Sequence, residues 1–220
     1  MAIRDNNRSV RMPADLTGGP DGQHGLYFRP VERAEFDKFT ARQATSPETG
    51  RIETVYEKKE IANPTRIIRN LGLYGCGKLC AVAICVIIPN KSDGHNSCRL
   101  DTVVVDSDLR KQGLATFIIT TLFMDLLADP ELDITRMFSY AVHPGTVGAL
   151  SKLHFSDPPP KGAPLIAVDV GGPEDSDVLS SCQTLFGQLN AELQGLCSNC
   201  AAEDGPELRW CEGAVSTGNK

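Results

Sequence analysis

The stretch that decides the fold runs from Val103 to Ile119 and reads VVVDSDLRKQGLATFII. Three consecutive β-branched residues at its start predict a buried strand, and the apolar run from Leu114 to Leu127 predicts a helix packed on that strand. Gly113 lies in the turn between them, where glycine lets the backbone come close to a ligand. A turn that opens a helix leaves backbone N–H groups unpaired at the positive end of the helix dipole. The stretch therefore predicts an anion-binding site.

The residues around the glycine suggest which anion this is. Arg110 and Lys111 add positive charge beside the backbone amides, although a solvated turn would carry the same residues. The spacing of Arg110, Gly113 and Ala115 gives the pattern Arg-x-x-Gly-x-Ala. This pattern resembles the pyrophosphate-binding signature Gln/Arg-x-x-Gly-x-Gly/Ala of the GCN5-related N-acetyltransferase superfamily.

The order of predicted elements on either side of the turn extends the resemblance. Apolar periodicity, turn residues and prolines predict one strand, helical segments, three strands, a helix, a strand, a second helix and a last strand. The predicted strands cover residues 26–31, 71–74, 79–89, 97–105, 134–142 and 164–170, and the predicted helices cover 32–43, pieces of 46–63, 114–127 and 143–154. This order resembles that of the superfamily over residues 25–170.

The resemblance implies an α/β fold of the α+β kind, with a mixed, mostly antiparallel central sheet flanked by helices. It also implies that the fourth and fifth strands splay apart. The helix after residue 113 then makes the crossover between these two strands, which lie parallel to each other.

Composition limits the function classes. The chain has 220 residues, of which 41% are hydrophobic, enough for a substantial core. The formal net charge is -6, and residues 171–220 account for all of it with eight acidic and two basic residues. The remaining residues balance twenty acidic against twenty basic groups, so nothing resembles the basic surface of a nucleic-acid binder. No apolar stretch predicts export or membrane insertion, and we expect a cytoplasmic protein with reduced thiols.

Three segments divide the chain. Residues 1–24 are polar and without periodicity, which predicts a flexible arm, and residues 25–170 form the acetyltransferase-like domain. Residues 171–220 form an acidic extension whose apolar spacing from Val178 to Leu196 predicts one amphipathic helix. That helix either packs on the domain or supports a homodimer.

Cys197 and Cys200 have zinc-ligand spacing, but with Cys211 they supply only three ligands, so no metal site is predicted.

The resemblance assigns a donor substrate to the turn. It implies that the pyrophosphate of acetyl-CoA binds the backbone of the loop that opens the helix, and that the pantetheine arm lies along the fourth strand like an added strand. The residues implied in binding are Val103, Val104, Val105, Arg110, Lys111, Gln112, Gly113, Leu114 and Ala115.

Acyl transfer to an amine needs a base, a donor to the thioester oxyanion and an acid for the leaving thiolate. Asp101 and His143, near the point where the strands part, are candidate bases, although a solvated strand end for Asp101 and a helix-capping or exposed position for His143 are the more common roles of such residues. The superfamily pattern places a tyrosine where this chain has Leu150, which cannot donate a proton. Ser151, Tyr140 or solvent would then supply the proton.

Three functions compete. The first is an acetyl-CoA-dependent N-acetyltransferase that moves an acetyl group to an amine of a small molecule or protein by direct attack in a ternary complex. The second, suggested by Leu150 and the acidic tail, is a non-catalytic acyl-CoA-binding or protein-interaction module with the same fold. The third is an unrelated α/β domain whose tail binds a metal.

Overall fold

The computed structural model of the chain describes residues 26–43, 65–75, 77–89, 94–140, 143–155, 166–170 and 176–198. The predicted arm at residues 1–24, the helical pieces predicted within 46–63, and Cys200 and Cys211 lie outside the described residues. Every structural statement below concerns the described part of the chain.

Six strands and four α-helices make up this part. The strands are β1 (Leu26–Arg29), β2 (Ile67–Gly75), β3 (Lys78–Pro89), β4 (Asn96–Val105), β5 (Ile134–Ser139) and β6 (Ile166–Asp169). The helices are α1 (Arg33–Gln43), α2 (Leu114–Leu127), α3 (Pro144–Ser151) and α4 (Ser176–Ser198), and a short 3-10 helix spans Ser107–Leu109.

The strands form one sheet in the order β1-β2-β3-β4-β5-β6. Every neighbouring pair is antiparallel except β4 and β5, which are parallel and are joined through α2. The near-continuous apolar sequence of β3 suits a strand with both faces covered, and Leu79 to Ile87 are all buried. The expected fold class, a mostly antiparallel sheet flanked by helices, is confirmed.

A bulge in β4 changes which side chains face each side of the sheet. Ile84 of β3 pairs with Thr102 and Cys85 pairs with Leu100, so Asp101 is the extra residue on β4. Before the bulge Leu100 faces the side covered by α2, and after it Val104 faces the side covered by α1. The bulge therefore exchanges the two faces of β4 within two residues.

The core on the α2 side is the larger one. Ten of the fourteen residues of α2 are buried, including Phe117 and Phe123, so this helix is covered on nearly all sides. The sheet covers one face, and α3 and α4 pack against others. Phe117 contacts Phe28 of β1 and stacks on Phe186 of α4, with ring centroids 5.1 and 5.3 Å apart.

The C-terminal helix is thus part of this core. Val178, Cys182 and Leu193 of α4 are buried at intervals that give one stripe along the helix. Burial raises the pKa of the Cys182 thiol to about 12, so the thiol is neutral at physiological pH. Of the two arrangements open for the amphipathic helix, packing on the domain is the one observed.

The elements differ from the predicted ones mainly at their ends. β2 begins at Ile67 instead of 71, because the twelve-residue β3 offers it a partner as far as Ile87. The helix predicted over residues 143–154 is α3, and it ends at Ser151. His154 follows with a left-handed φ of 63°. The 3-10 helix was not predicted.

Among the described helices there is none long and apolar enough to cross a bilayer.

The smaller core, on the α1 side of the sheet, is tightly packed at Gly72. The Tyr74 ring lies under the Arg29 guanidinium, 4.2 Å from its centroid, and its hydroxyl donates to Glu35 at 2.8 Å. Burial and this acidic partner raise the pKa of the Tyr74 phenol well above its usual value. Gly72 lies beside the ring, and a Cβ there would come within 2.5 Å of the Val31 side chain and 2.8 Å of the Tyr74 ring.

We predict that Gly72→Ala lowers the free energy of unfolding by about 1–3 kcal/mol, the usual cost of overpacking a filled core. Gly148→Ala is the matched control, because a Cβ at this exposed position of α3 meets nothing within 4 Å. Alanine favours a helix over glycine by about 0.5–1 kcal/mol, so the control is expected to gain stability. Urea unfolding curves measure both, and a Gly72→Ala protein as stable as the wild type would contradict this packing.

Candidate functional site

The two parallel strands separate halfway along β4. Residues Asn96–Leu100 pair with Ile134–Ser139, and at the last pair the Ser139 hydroxyl donates to the Leu100 carbonyl at 3.0 Å. Beyond this pair β4 continues for five residues, Asp101–Val105, of which Asp101 is the bulge residue and Thr102–Val105 pair with β3 alone. In a strand every second residue directs its N–H and C=O to the same edge. This segment therefore offers backbone donors and acceptors on its β5 side, as expected of splayed strands.

The end of β4 is fixed to its surroundings by buried polar contacts. The Asp106 side chain is buried, accepts a hydrogen bond from the Asp108 N–H at 3.2 Å and lies 4.0 Å from the Lys78 ammonium. The buried Gln43 side chain, at the end of α1, accepts from the Ser107 N–H at 2.9 Å. These bonds hold the 3-10 helix in place, so the turn that follows starts from a defined position.

The turn before α2 has the backbone geometry of an anion cradle. Gly113 is the N-cap of α2 with a φ of 84°, and no side chain caps the helix there. Lys111 also has a left-handed φ, 66°. The first N–H groups of an α-helix lack intrahelical acceptors and carry the positive end of its dipole. With Arg110 half-buried and Lys111 exposed beside them, these groups suit a phosphate or pyrophosphate.

Asp101 lies at the point where the strands part, and it is not a solvated strand end. Its side chain is only 3% exposed. One carboxylate oxygen accepts from the Arg99 guanidinium at 3.0 Å, and the other accepts from the Thr102 hydroxyl at 3.0 Å. The bulge brings these three side chains to the α1 side of the sheet. The carboxylate is therefore held in one orientation by a charged and a neutral donor.

His143 is the N-cap of α3. Its Nδ1 accepts a hydrogen bond from the Gly145 N–H at 3.1 Å, and the ring is exposed. While it accepts this bond, Nδ1 carries no proton, so the proton of a neutral ring lies on Nε2. In that state the imidazole has no second lone pair with which to remove a proton from a substrate.

The other predicted acid positions lie on or beside the same two elements. Ser151, at the last residue of α3, is exposed and its hydroxyl donates to the Val147 carbonyl at 3.0 Å. Leu150 is fully buried in the core under α2. Tyr140 follows the last residue of β5 and is 55% exposed, with its ring packed edge-on against Phe138. Tyr140 is thus one residue beyond the pair at which β4 and β5 separate.

Sequence reasoning missed three features of the site: the Arg99 partner of Asp101, the Gln43 contact under the turn, and the closeness of α4 to Gly113. The Leu189 side chain of α4 would lie 3.1 Å from a Cβ placed on Gly113. The apolar stripe of α4 signalled that the helix packs on something, but its partner is far away in sequence. No local pattern could have identified these contacts.

Solved structures of similar fold include the following three. The ribosomal-protein-S18-alanine N-acetyltransferase from Escherichia coli is 16% identical, with 67% of this chain and 95% of that chain covered and a TM-score of 0.45. Arabidopsis thaliana Naa50 in complex with a bisubstrate analogue is 11% identical, with 66% and 98% covered and a TM-score of 0.48. Mycobacterium smegmatis RimJ in complex with CoA-disulfide is 15% identical, with 75% and 90% covered and a TM-score of 0.49. No family model matches the chain, and no curated protein matches its sequence.

Substitution of His143 separates capping from chemistry. We predict that His143→Ala lowers the free energy of unfolding by about 1 kcal/mol, whereas His143→Asn, which keeps a capping acceptor, changes it little. Urea unfolding measures both. If the protein transfers acetyl groups and His143 serves only as a cap, His143→Asn also keeps the wild-type rate. A large loss of activity in a stable His143→Asn protein would assign the base role to this histidine instead.

Proposed function

We propose that this protein is an acetyl-CoA-dependent N-acetyltransferase that moves an acetyl group to an amine of a small molecule or protein by direct attack in a ternary complex. One observation carries the proposal. The segment of β4 that lacks a β5 partner, Asp101–Val105, is followed by the positive-φ turn at Gly113 and the start of α2. An extended arm and a charged end can therefore bind to consecutive parts of one chain segment.

The residues present suit acetyl-CoA. Val103 and Val105 border the separated edge of β4, where pantetheine amides can pair with backbone groups as an added strand would. The turn from Arg110 to Ala115 supplies N–H groups, two cationic side chains and a glycine φ of 84° for the pyrophosphate. A protein built this way holds its donor mainly with backbone, so few side chains are fixed by the chemistry.

Bound acetyl-CoA supplies an activated acyl group as a thioester. The protein's part is to place the amine, to donate an N–H to the carbonyl oxygen from the β4 edge, and to move two protons. We propose that Asp101 accepts the amine proton through a water molecule, because Arg99 and Thr102 fix its carboxylate at the point where the strands separate.

For the leaving thiolate we propose Tyr140 as the proton donor. It is exposed, it follows the last residue of β5, and it is the tyrosine nearest in sequence to the end of the β4–β5 pairing. Ser151 stays a second candidate, although its hydroxyl now donates to Val147. His143 stays a predicted base only if its cap to Gly145 opens.

The alternative is a non-catalytic acyl-CoA-binding or protein-interaction module. Leu150 favours it, because this residue is fully buried and stands where the superfamily pattern has a tyrosine. Release of free thiol from acetyl-CoA with a panel of amines, polyamines, aminoglycosides and peptides separates the two functions. An enzyme releases CoA in an acceptor-dependent way, whereas a binding module holds acetyl-CoA without turnover.

Gly113→Ala tests the donor site. We predict that it weakens acetyl-CoA binding at least about tenfold, because a side chain in the left-handed region costs about 1–2 kcal/mol and forces the turn to shift. Gly94→Ala is the control, since it has a similar φ of 80° but a Cβ that meets nothing within 4 Å. Isothermal titration calorimetry measures both affinities. Equal acetyl-CoA binding by the Gly113→Ala protein and the wild type would contradict the assigned turn.

Tyr140→Phe tests the proton donor. We predict that kcat falls about 100-fold with little change in KM, because general acid catalysis contributes about 10²–10⁴-fold and the ring itself is kept. Tyr27→Phe is the control, because Tyr27 lies in β1 at the other end of the sheet and stacks on Tyr74. Steady-state kinetics with an acceptor from the amine panel decide the point. An unchanged kcat would exclude Tyr140 and leave Ser151 or solvent.

A further inference from the structure

The C-terminal helix reaches the turn that we assign to the donor. Along its stripe, Phe186 stacks on Phe117 of α2, and one turn later the Leu189 side chain lies against Gly113, where an added Cβ would be only 3.1 Å away. The helix therefore packs along α2 up to its N-terminal end, and it forms one wall of the anion cradle.

Two amide side chains flank this contact. Gln112 precedes Gly113, and Asn190 follows Leu189 and lies four residues after Phe186, on the stripe that faces α2. The Oε1 of Gln112 and the Oδ1 of Asn190 are buried, and neither has a hydrogen-bond partner among the described residues. A buried acceptor without a donor costs about 1–3 kcal/mol. Both orphaned acceptors thus belong to residues adjacent in sequence to the two that form the contact between α4 and the turn.

Gln112 and Asn190 are partly exposed as residues, and a rotation about the terminal torsion exchanges the positions of the amide oxygen and nitrogen. A carboxamide offers an acceptor oxygen and two N–H donors. The nucleotide half of CoA presents complementary groups, namely the adenine amine, a ribose hydroxyl and phosphate oxygens. The acetyl-pantetheine half binds along β4 and does not need this wall.

We propose that α4 belongs to the donor site: Gln112 and Asn190 hydrogen-bond the nucleotide half of acetyl-CoA, and Leu189 positions the Gly113 turn. This inference rests on the proposed function. It extends the binding site from the predicted domain, residues 25–170, to the acidic extension that follows it. The ligand class recognised by α4 is an adenosine that carries a 3′-phosphate and a 5′-diphosphate.

Asn190→Leu separates binding from folding. Leucine removes the orphaned acceptor and keeps the volume, so the free protein should unfold about 2–4 °C higher than the wild type. The same change should weaken acetyl-CoA and adenosine 3′,5′-bisphosphate about tenfold, equivalent to 1.4 kcal/mol, and leave acetyl-pantetheine unaffected. A residue with a purely structural role would not shift stability and affinity in opposite directions. Gln188→Leu, at an exposed position of α4, is the control and should change none of the three affinities.

Leu189→Ala tests the positioning role. It leaves the amide groups in place but removes the side chain that abuts Gly113, so acetyl-CoA and the bisphosphate should bind about fivefold more weakly while acetyl-pantetheine does not change. In the double variant Gly113→Ala/Leu189→Ala, relief of the 3.1 Å contact should restore part of the stability lost in Gly113→Ala.

Calorimetry with the three ligands on the full chain gives distinct outcomes. If the wild type binds acetyl-CoA and Asn190→Leu binds all three ligands equally well, the role of α4 is overturned and the donor site stands. An equal loss for acetyl-pantetheine would also overturn it, because the effect would then not concern the nucleotide half. If the wild type binds no acetyl-CoA, the proposed function fails and this inference fails with it.

Discussion

The strand pairing of β4 changes along its length, and the candidate site lies where it changes. In its first half β4 pairs with β3 on one side and with β5 on the other, ending at Leu100 and Ser139. The bulge at Asp101 then turns the strand, and the second half pairs with β3 alone. Backbone groups left without a strand partner have to be satisfied by another group or by a ligand. The opening between the two strands is therefore a consequence of sheet geometry, and the proposed donor site lies along it.

Burial of α2 is the second constraint. A helix whose sequence is apolar on nearly every face cannot be covered by a sheet alone, and α3 and α4 cover the remaining faces, α4 through Phe186 and Leu189. Because the N-terminus of α2 is also the proposed anion-binding turn, the helix that completes the core lies next to the proposed site. The two meet at Gly113, where an added Cβ would come within 3.1 Å of the Leu189 side chain.

Several polar residues of the site have structural partners that compete with a chemical role. The Asp101 carboxylate accepts hydrogen bonds from Arg99 and Thr102, and the His143 Nδ1 accepts the hydrogen bond that caps α3. For Asp101 the partners fix the orientation of the carboxylate. While His143 caps α3, its Nδ1 lone pair is occupied by the Gly145 N–H. A hydrogen bond to a candidate base thus orients one residue and occupies the acceptor atom of the other.

The sequence by itself determined the strand-turn-helix around Gly113, the order of the elements and the bounds of α2, because apolar periodicity, β-branched runs and glycines act locally. It placed β3 and β4 within one residue of their observed ends. Only the tertiary structure decided the extra length of β2, the bulge at Asp101, the Arg99 partner and the position of α4. Each of these depends on pairing or packing between residues distant in sequence, where a strand extends as far as its neighbour allows and an apolar stripe binds whichever surface the fold leaves uncovered.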